Sequence, residues 1–168
     1  MSRALGVDIG GTKIQFCVIG ADMAVTPLGR TPTALLRRGT RAFADDLAGL
    51  IRSVMPPDCD RVAVSLNGVL DRGMVVYSSL MGGRVDFPLE TFLARQLGLA
   101  VLVDDDIHAM TTAEARLGAG REVDAFAMLN IGTGIGVGCY SGSVLRGRFA
   151  AGLISEQAIY VEALGEYR

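Results

Sequence analysis

Asp8 stands at the end of an apolar run, Leu5–Asp8. It is followed at once by Gly10-Gly11-Thr12-Lys13 and by a second apolar run that ends near Ile19. Glycine has no Cβ, so a main-chain amide can approach an anion closely there, and a positive φ costs little. Successive amides in such a bend form an anion-binding concavity, and the Thr12 hydroxyl adds a donor. Taken alone, a Gly-Gly-Thr bend is more often only a hairpin turn. The pattern returns as Gly132-Thr133-Gly134, with Gly136 two residues on. Two such bends facing one another would hold a polyphosphate from both sides. Asp8 either caps its turn or holds a hydrated Mg²⁺ against those phosphates, since Mg²⁺ keeps several waters and takes one or two carboxylates. Lys13, the only lysine, is either a solvated loop charge or a phosphate contact.

A second acidic feature, Asp104-Asp105-Asp106, ends the apolar strand Leu99–Val103. Asp104 or Asp105 caps the helix that follows, because aspartate is a strong N-cap. Asp106 then falls in the first turn, where the positive helix end keeps it ionised. An ionised carboxylate there can accept a proton from a substrate hydroxyl. His108, the only histidine, is either a partly exposed helix residue or a catalytic one.

These groups need elements to position them. Leu5–Asp8 and Lys13–Ile19 read as a hairpin around Gly10-Gly11, with a third strand in Ala24–Arg30. After Thr40, a plausible N-cap, Phe43, Leu47, Leu50, Ile51 and Val54 recur at helical spacing until Pro56-Pro57. Arg61–Leu66 is a short buried strand leading into Asn67-Gly68, and Met74–Tyr77 reads as another. Pro88 opens a helix that Gly98 closes. A helix spans about Ile107 to Leu117. Ala125–Ile131 and Ile135–Tyr140 form a second hairpin, with a short strand at Val144–Leu145 and a helix from Ile154 to about Leu164. The boundary between the two lobes falls near Gly120–Asp124, giving lobes over 1–121 and 122–168.

Composition narrows the class. Half of the 168 residues are hydrophobic and a fifth are charged, which fits a packed core rather than disorder. A chain of this length buries roughly 70% of its unfolded surface. The net charge of -2 suggests neither nucleic acid nor an anionic membrane. No run reaches the roughly 18 apolar residues of a membrane span, and the chain enters a strand without a signal-peptide pattern. Cys17, Cys59 and Cys139 lack metal-ligand spacing, so they read as free thiols in a reducing cytosol.

In this order, "GVDIGGTK", "VDDDIHAMTTAEARLGAG", "LNIGTGIGVG" and "VLRGRFAAG" resemble the ROK family of sugar kinases and sugar-responsive repressors, which includes bacterial glucokinase. The resemblance runs from about Leu5 to Gly152. It implies the actin-like, ribonuclease-H-like α/β fold, with a complete first lobe and part of a second, and with ATP and sugar bound between the lobes. It implies that Asp8, Gly10, Gly11 and Thr12 form the first phosphate loop and Gly132, Thr133, Gly134 and Gly136 the second. Asp106 would be the base that takes the proton from the attacking sugar hydroxyl. ATP and Mg²⁺ are the implied cofactors, and a hexose or related sugar the implied substrate.

The chain departs from the family pattern at several sugar-contacting positions. Asp105 stands where the family has asparagine before the base, and His108 replaces a second asparagine. Asn67-Gly68 stands for Pro-Gly, and Ser79 for a sugar-contacting asparagine. Leu153 follows Ala150-Ala151-Gly152, and Glu156 occupies a histidine position. The cysteine-rich zinc segment is missing. "YVEALG" at Tyr160–Gly165 makes Glu162 either a sugar contact or an exposed helix residue. These changes set two readings side by side: an ATP-dependent sugar kinase, and a non-catalytic relative that binds sugar or nucleotide or that oligomerises. The second hairpin is apolar on both faces and needs cover, which points to a homo-oligomer or a partner.

Overall fold

The fold is that of a computed structural model that describes residues 2–131 and 135–145 and the backbone of 152–153, 160–161 and 166–167. It comprises two compact units, Met1–Asp106 and Ile107–Arg168. The division falls after the first residue of the third helix, Asp106; the sequence reading has lobes over 1–121 and 122–168.

The first unit runs β1 (Ala4–Ile9), β2 (Lys13–Ile19), β3 (Val25–Pro32), α1 (Thr40–Val54), β4 (Arg61–Leu66), β5 (Val69–Asp71), β6 (Met74–Ser78), β7 (Gly83–Phe87), α2 (Leu89–Leu97) and β8 (Ala100–Asp105). Five strands form one sheet in the order β3-β2-β1-β4-β8. β1, β4 and β8 are parallel, while β2 runs antiparallel to both β1 and β3. Alternation along each strand gives one buried face: Leu5, Val7 and Ile9 on β1, Ile14, Phe16 and Val18 on β2, and Val62, Val64 and Leu66 on β4. The helices add Phe43, Leu47 and Ile51 from α1 and Leu89 and Leu93 from α2 to the same core.

Gly39, not Thr40, occupies the cap position of α1, at φ 105° and with no side-chain cap. Glycine in place of a side-chain cap costs only about a few tenths of a kcal/mol. Burial of Phe43, Leu47 and Ile51 contributes about 1.5–3 kcal/mol each, so packing rather than capping decides this helix.

The sequence reading missed β5 and β7, which flank β6 in a small sheet ordered β5-β6-β7. Arg72 at φ 49° and Gly73 at φ 75° make the β5–β6 turn, the left-handed pair that a two-residue hairpin favours. The Glu90 amide donates to the Gly73 carbonyl at 3.2 Å. The Glu90 carboxylate accepts from the Val103 amide at 3.0 Å. Glu90 therefore ties the first turn of α2 both to the small sheet and to β8.

The second unit contains most of α3 (Asp106–Leu117), then β9 (Ala125–Ile131) and β10 (Ile135–Ser141), with β11 (Gly152–Leu153) beside β10. A Cβ on Gly136 would lie 2.3 Å from Ile107 Cδ1, and one on Gly138 would lie 1.8 Å from Thr111 Oγ1. The two glycines form a notch in β10 that receives α3. Phe126 and Tyr140 stack across the hairpin, with centroids 5.3 Å apart.

Two expectations fail here. The helix expected from Ile154 does not extend through β12 (Tyr160–Val161), which pairs antiparallel with β13 (Glu166–Tyr167). That pairing demands extended backbone. Val144–Leu145 is not a strand; only Val144 makes an isolated bridge, to Tyr140.

Candidate active site

Because β1, β4 and β8 are parallel, their carboxyl ends open on the same edge of the sheet. Open α/β sheets bind ligands at that edge. The register sets Asp8 level with Ser65 and Ser65 level with Asp104; one residue on, Ile9, Leu66 and Asp105 lie level. The loop from Gly10, the loop at Asn67-Gly68 and the start of α3 at Asp106 therefore leave the sheet side by side.

The Gly10 amide donates to the Lys13 carbonyl at 3.0 Å and closes the first bend. Thr33, from the 3₁₀ turn Thr33–Leu35, holds that bend from behind. Its hydroxyl donates to the Gly10 carbonyl at 2.7 Å, and its amide donates to the Thr12 carbonyl at 3.1 Å. Neither Gly10 nor Gly11 has a positive φ, so backbone conformation does not explain the pair. Packing within the chain does not explain it either: a Cβ on Gly11 would meet nothing within 4 Å, and one on Gly10 would lie 3.4 Å from the Lys13 carbonyl oxygen, so the face of Gly11 is left open. Gly11, Thr12 and Lys13 are exposed.

The Asp8 carboxylate is exposed at the end of β1 and is held at both oxygens. Ser65 Oγ donates to Oδ1 at 2.8 Å, and Gln15 Nε2 donates to Oδ2 at 3.4 Å. The charge of Asp8 reaches Cys17 on β2. Burial pushes the Cys17 thiol above its ordinary pKa, a hydrogen bond with the Gly6 backbone opposes this, and Asp8 adds to the rise.

The Asn67-Gly68 loop meets Ser78, the residue before Ser79. Ser78 Oγ donates to the Asn67 carbonyl at 2.9 Å. A Cβ on Gly68 would fall 2.4 Å from the Tyr77 carbonyl oxygen, so only glycine lets the two segments close. The Asn67 amide donates to the Ile9 carbonyl at 3.4 Å, which places this loop beside Asp8. Asp104 and Asp105 are buried, at 9% and 6% exposure. Asp104 Oδ1 accepts from the Asp105 amide at 3.1 Å. His108 is buried at 2% exposure, not partly exposed.

The second loop, Gly132-Thr133-Gly134, lies outside the described residues, as do Glu156 and Glu162. Gly136 lies on β10, where packing against Ile107 already accounts for a glycine. Sequence reasoning missed Thr33, Ser65 and Gln15. A serine near the end of the otherwise apolar β4 was a signal for Ser65. Thr33 lies 23 residues from Gly10 and carries no local signal.

The donor set fits a nucleotide phosphate with a hydrated divalent cation. The space before Gly11 is open to an anion, the Thr12 hydroxyl stands beside it, and the nearby Asp8 carboxylate is a hard oxygen ligand suited to Mg²⁺ and its waters. Among the described residues, no helix is long and apolar enough to cross a membrane.

Residues 4–155 match the model of the ROK family. The chain is 30% identical over 151 residues to the N-acetylmannosamine kinase of Escherichia coli O1:K1, covering 84% of this chain and 48% of that protein. It thus spans about half the length of the curated relatives it matches. It superposes with a TM-score of 0.77 and 27% identity on a ROK family glucokinase from Streptomyces griseus in complex with glucose and AMPPNP, covering 96% of this chain and 52% of the other. A ROK hexokinase from Thermus thermophilus gives 0.67 and 28%, covering 88% and 50%. The α/β architecture is that of the actin-like ATPase fold, with only part of the second lobe covered. The chain belongs to the ROK family.

Proposed function

We propose that the chain is a ROK-type, ATP-dependent kinase-like protein acting on a hexose or related sugar and working in the cytosol. The observation that carries this reading is the convergence of Asp8, the Gly10–Thr12 bend, Asn67-Gly68 and Asp106 at the carboxyl edge of β1, β4 and β8. Phosphoryl transfer asks little of a protein beyond positioning and charge neutralisation, and this edge offers both. ATP supplies the γ-phosphoryl group, and Mg²⁺ offsets the charge that it carries.

The chain's own groups divide the work. The amides of Gly10, Gly11 and Thr12 donate to phosphate oxygens, as does the Thr12 hydroxyl, and Lys13 adds a positive charge. Asp8 orients the waters of the metal. Asp106 accepts the proton of the sugar hydroxyl as its oxygen attacks. Asn67, Gly68, Ser79 and Asp105 face the sugar. Gly132, Thr133, Gly134 and Gly136 grip the phosphates from the second lobe, and Glu156 and Glu162 complete the sugar contacts.

The test is a coupled ADP-release assay over a panel of hexoses and N-acetylhexosamines, with Asp106→Asn as the control. Turnover falls by about 10²–10⁴-fold in the variant while its melting temperature is retained. Unchanged turnover removes Asp106 from its role.

A second reading, a non-catalytic relative that binds sugar or nucleotide, is favoured by Asp105 and His108 at positions where the family carries asparagine. Calorimetric binding of Mg-ATP and sugar without ADP release selects it. In either case we assign the exposed face of β9, where Leu129 is 57% and Ile131 72% exposed, to self-association of the chain.

A further inference from the structure

The metal reading of the carboxyl edge rests on one exposed carboxylate, Asp8. Five residues at the same level form a row across the sheet: Arg30 on β3, Gln15 on β2, Asp8 on β1, Ser65 on β4 and Asp104 on β8. Side chains of level residues share a face, and this face lies opposite the hydrophobic core. Within the row, Asp8 is gripped from both sides, by Ser65 at Oδ1 and by Gln15 at Oδ2.

A serine hydroxyl has a single proton. Ser65 stands between two strands that each carry an aspartate, and at 2.8 Å its proton is given to Asp8. A hydrogen bond to an ionised acceptor is roughly twice as strong as a neutral one. The Gln15 contact at 3.4 Å is the weaker of the two. With a donor on each oxygen, rotation of the carboxylate about its own bonds is restrained, chiefly by Ser65. Its remaining lone pairs are held ready before any cation arrives, so less rotational freedom is lost on binding.

We propose that Ser65, assisted by Gln15, is a positioning residue that presets the Asp8 carboxylate for the hydrated Mg²⁺ of the bound nucleotide. This rests on the reading of Asp8 as the metal-orienting group. Partners that orient a metal-directed ligand are worth 10–100-fold in affinity. Both positions lie on strands whose fold is set by the opposite, buried face. The effect should therefore reach the metal without disturbing the core.

The experiment is isothermal titration of the chain with ATP, once with excess Mg²⁺ and once with EDTA. It compares wild type with Ser65→Ala, Ser65→Thr, Gln15→Ala and Asp8→Asn, with thermal melts for each. We expect Ser65→Ala to weaken Mg-ATP binding by about 10-fold and to leave metal-free ATP binding within about twofold. Ser65→Thr, which keeps the hydroxyl, should bind Mg-ATP like wild type. Gln15→Ala should lie between wild type and Ser65→Ala. If Asp8→Asn removes the Mg²⁺-dependent gain while Ser65→Ala keeps it in full, Ser65 has no positioning role and the metal reading of Asp8 stands. If wild type gains nothing from Mg²⁺, that reading and the proposal fail together. If Ser65→Ala melts early and loses both titrations, Ser65→Thr decides: a threonine variant that melts normally yet loses the Mg²⁺ gain overturns the proposal.

Discussion

The hydroxyl of Thr33 donates to the carbonyl of Gly10 at 2.7 Å. A buried residue just past the end of β3, 5% exposed, thereby fixes the bend that leaves β1. The shape of the first glycine loop is set from outside the loop.

Thr33→Val keeps the side-chain shape and removes that donor. It should cost about 1 kcal/mol in urea unfolding and weaken ATP binding by loosening the bend. Thr33→Ser should restore both. A valine variant with wild-type ATP affinity would show that the bend holds itself.

Gly136→Ala should destabilise the second unit by about 1–3 kcal/mol, the usual cost of overpacking, because the new methyl meets Ile107 Cδ1. Adding Ile107→Ala should make the double variant less unstable than the two single effects combined. Strict additivity in thermal or denaturant melts would show that the notch does not seat α3.

The Arg37–Asp46 pair gives a pH-dependent prediction. Hydrogen bonds from the Arg37 side chain and amide hold the Asp46 carboxyl at about 2, below its ordinary 3.8. The folded-state value is depressed, so the contribution is fully present above the unfolded value. It is lost as pH falls through about 2. Proton titration followed by NMR should place the Asp46 midpoint near about 2 in wild type and closer to the ordinary value in Arg37→Ala. Identical midpoints would dismiss the pair.

Leu129→Lys, on the exposed face of β9, should shift sedimentation toward the monomer at micromolar concentration and leave the melting temperature nearly unchanged. A wild-type chain already monomeric under those conditions would refute self-association through this face.

Most of the first unit was legible in the sequence. The alternation of Leu5, Val7 and Ile9 and the helical spacing of Phe43, Leu47 and Ile51 repeat over several residues, so the pattern names both element and buried face. β5 and β7 were not legible. They are short, and their pairing depends on the Arg72-Gly73 turn, where an arginine at positive φ carries no composition signal. The segment around Tyr160 misled because Tyr160, Val161, Ala163 and Leu164 fit a helical stripe as readily as a strand. At the site, Asp8 and the glycines were visible because their types are unusual at the end of an apolar strand. Thr33 was not, because it meets Gly10 only once the chain has returned along β3, and the lone serine of β4 named no partner until sheet register set it beside Asp8.

The Glu90 carboxylate has a consequence beyond anchoring α2. It occupies the outward-facing amide of Val103 on β8, one terminus of the five-stranded sheet, while Pro27 and Pro32 interrupt β3 at the other. Neither flank of this five-stranded sheet offers an uninterrupted ladder to a stray polypeptide. Among the described residues, β9 ends its sheet with seven uncharged residues and no proline, the kind of flank on which unwanted strand addition begins. Efforts to keep the chain soluble at high concentration should therefore place a charge on β9 and leave the first unit untouched.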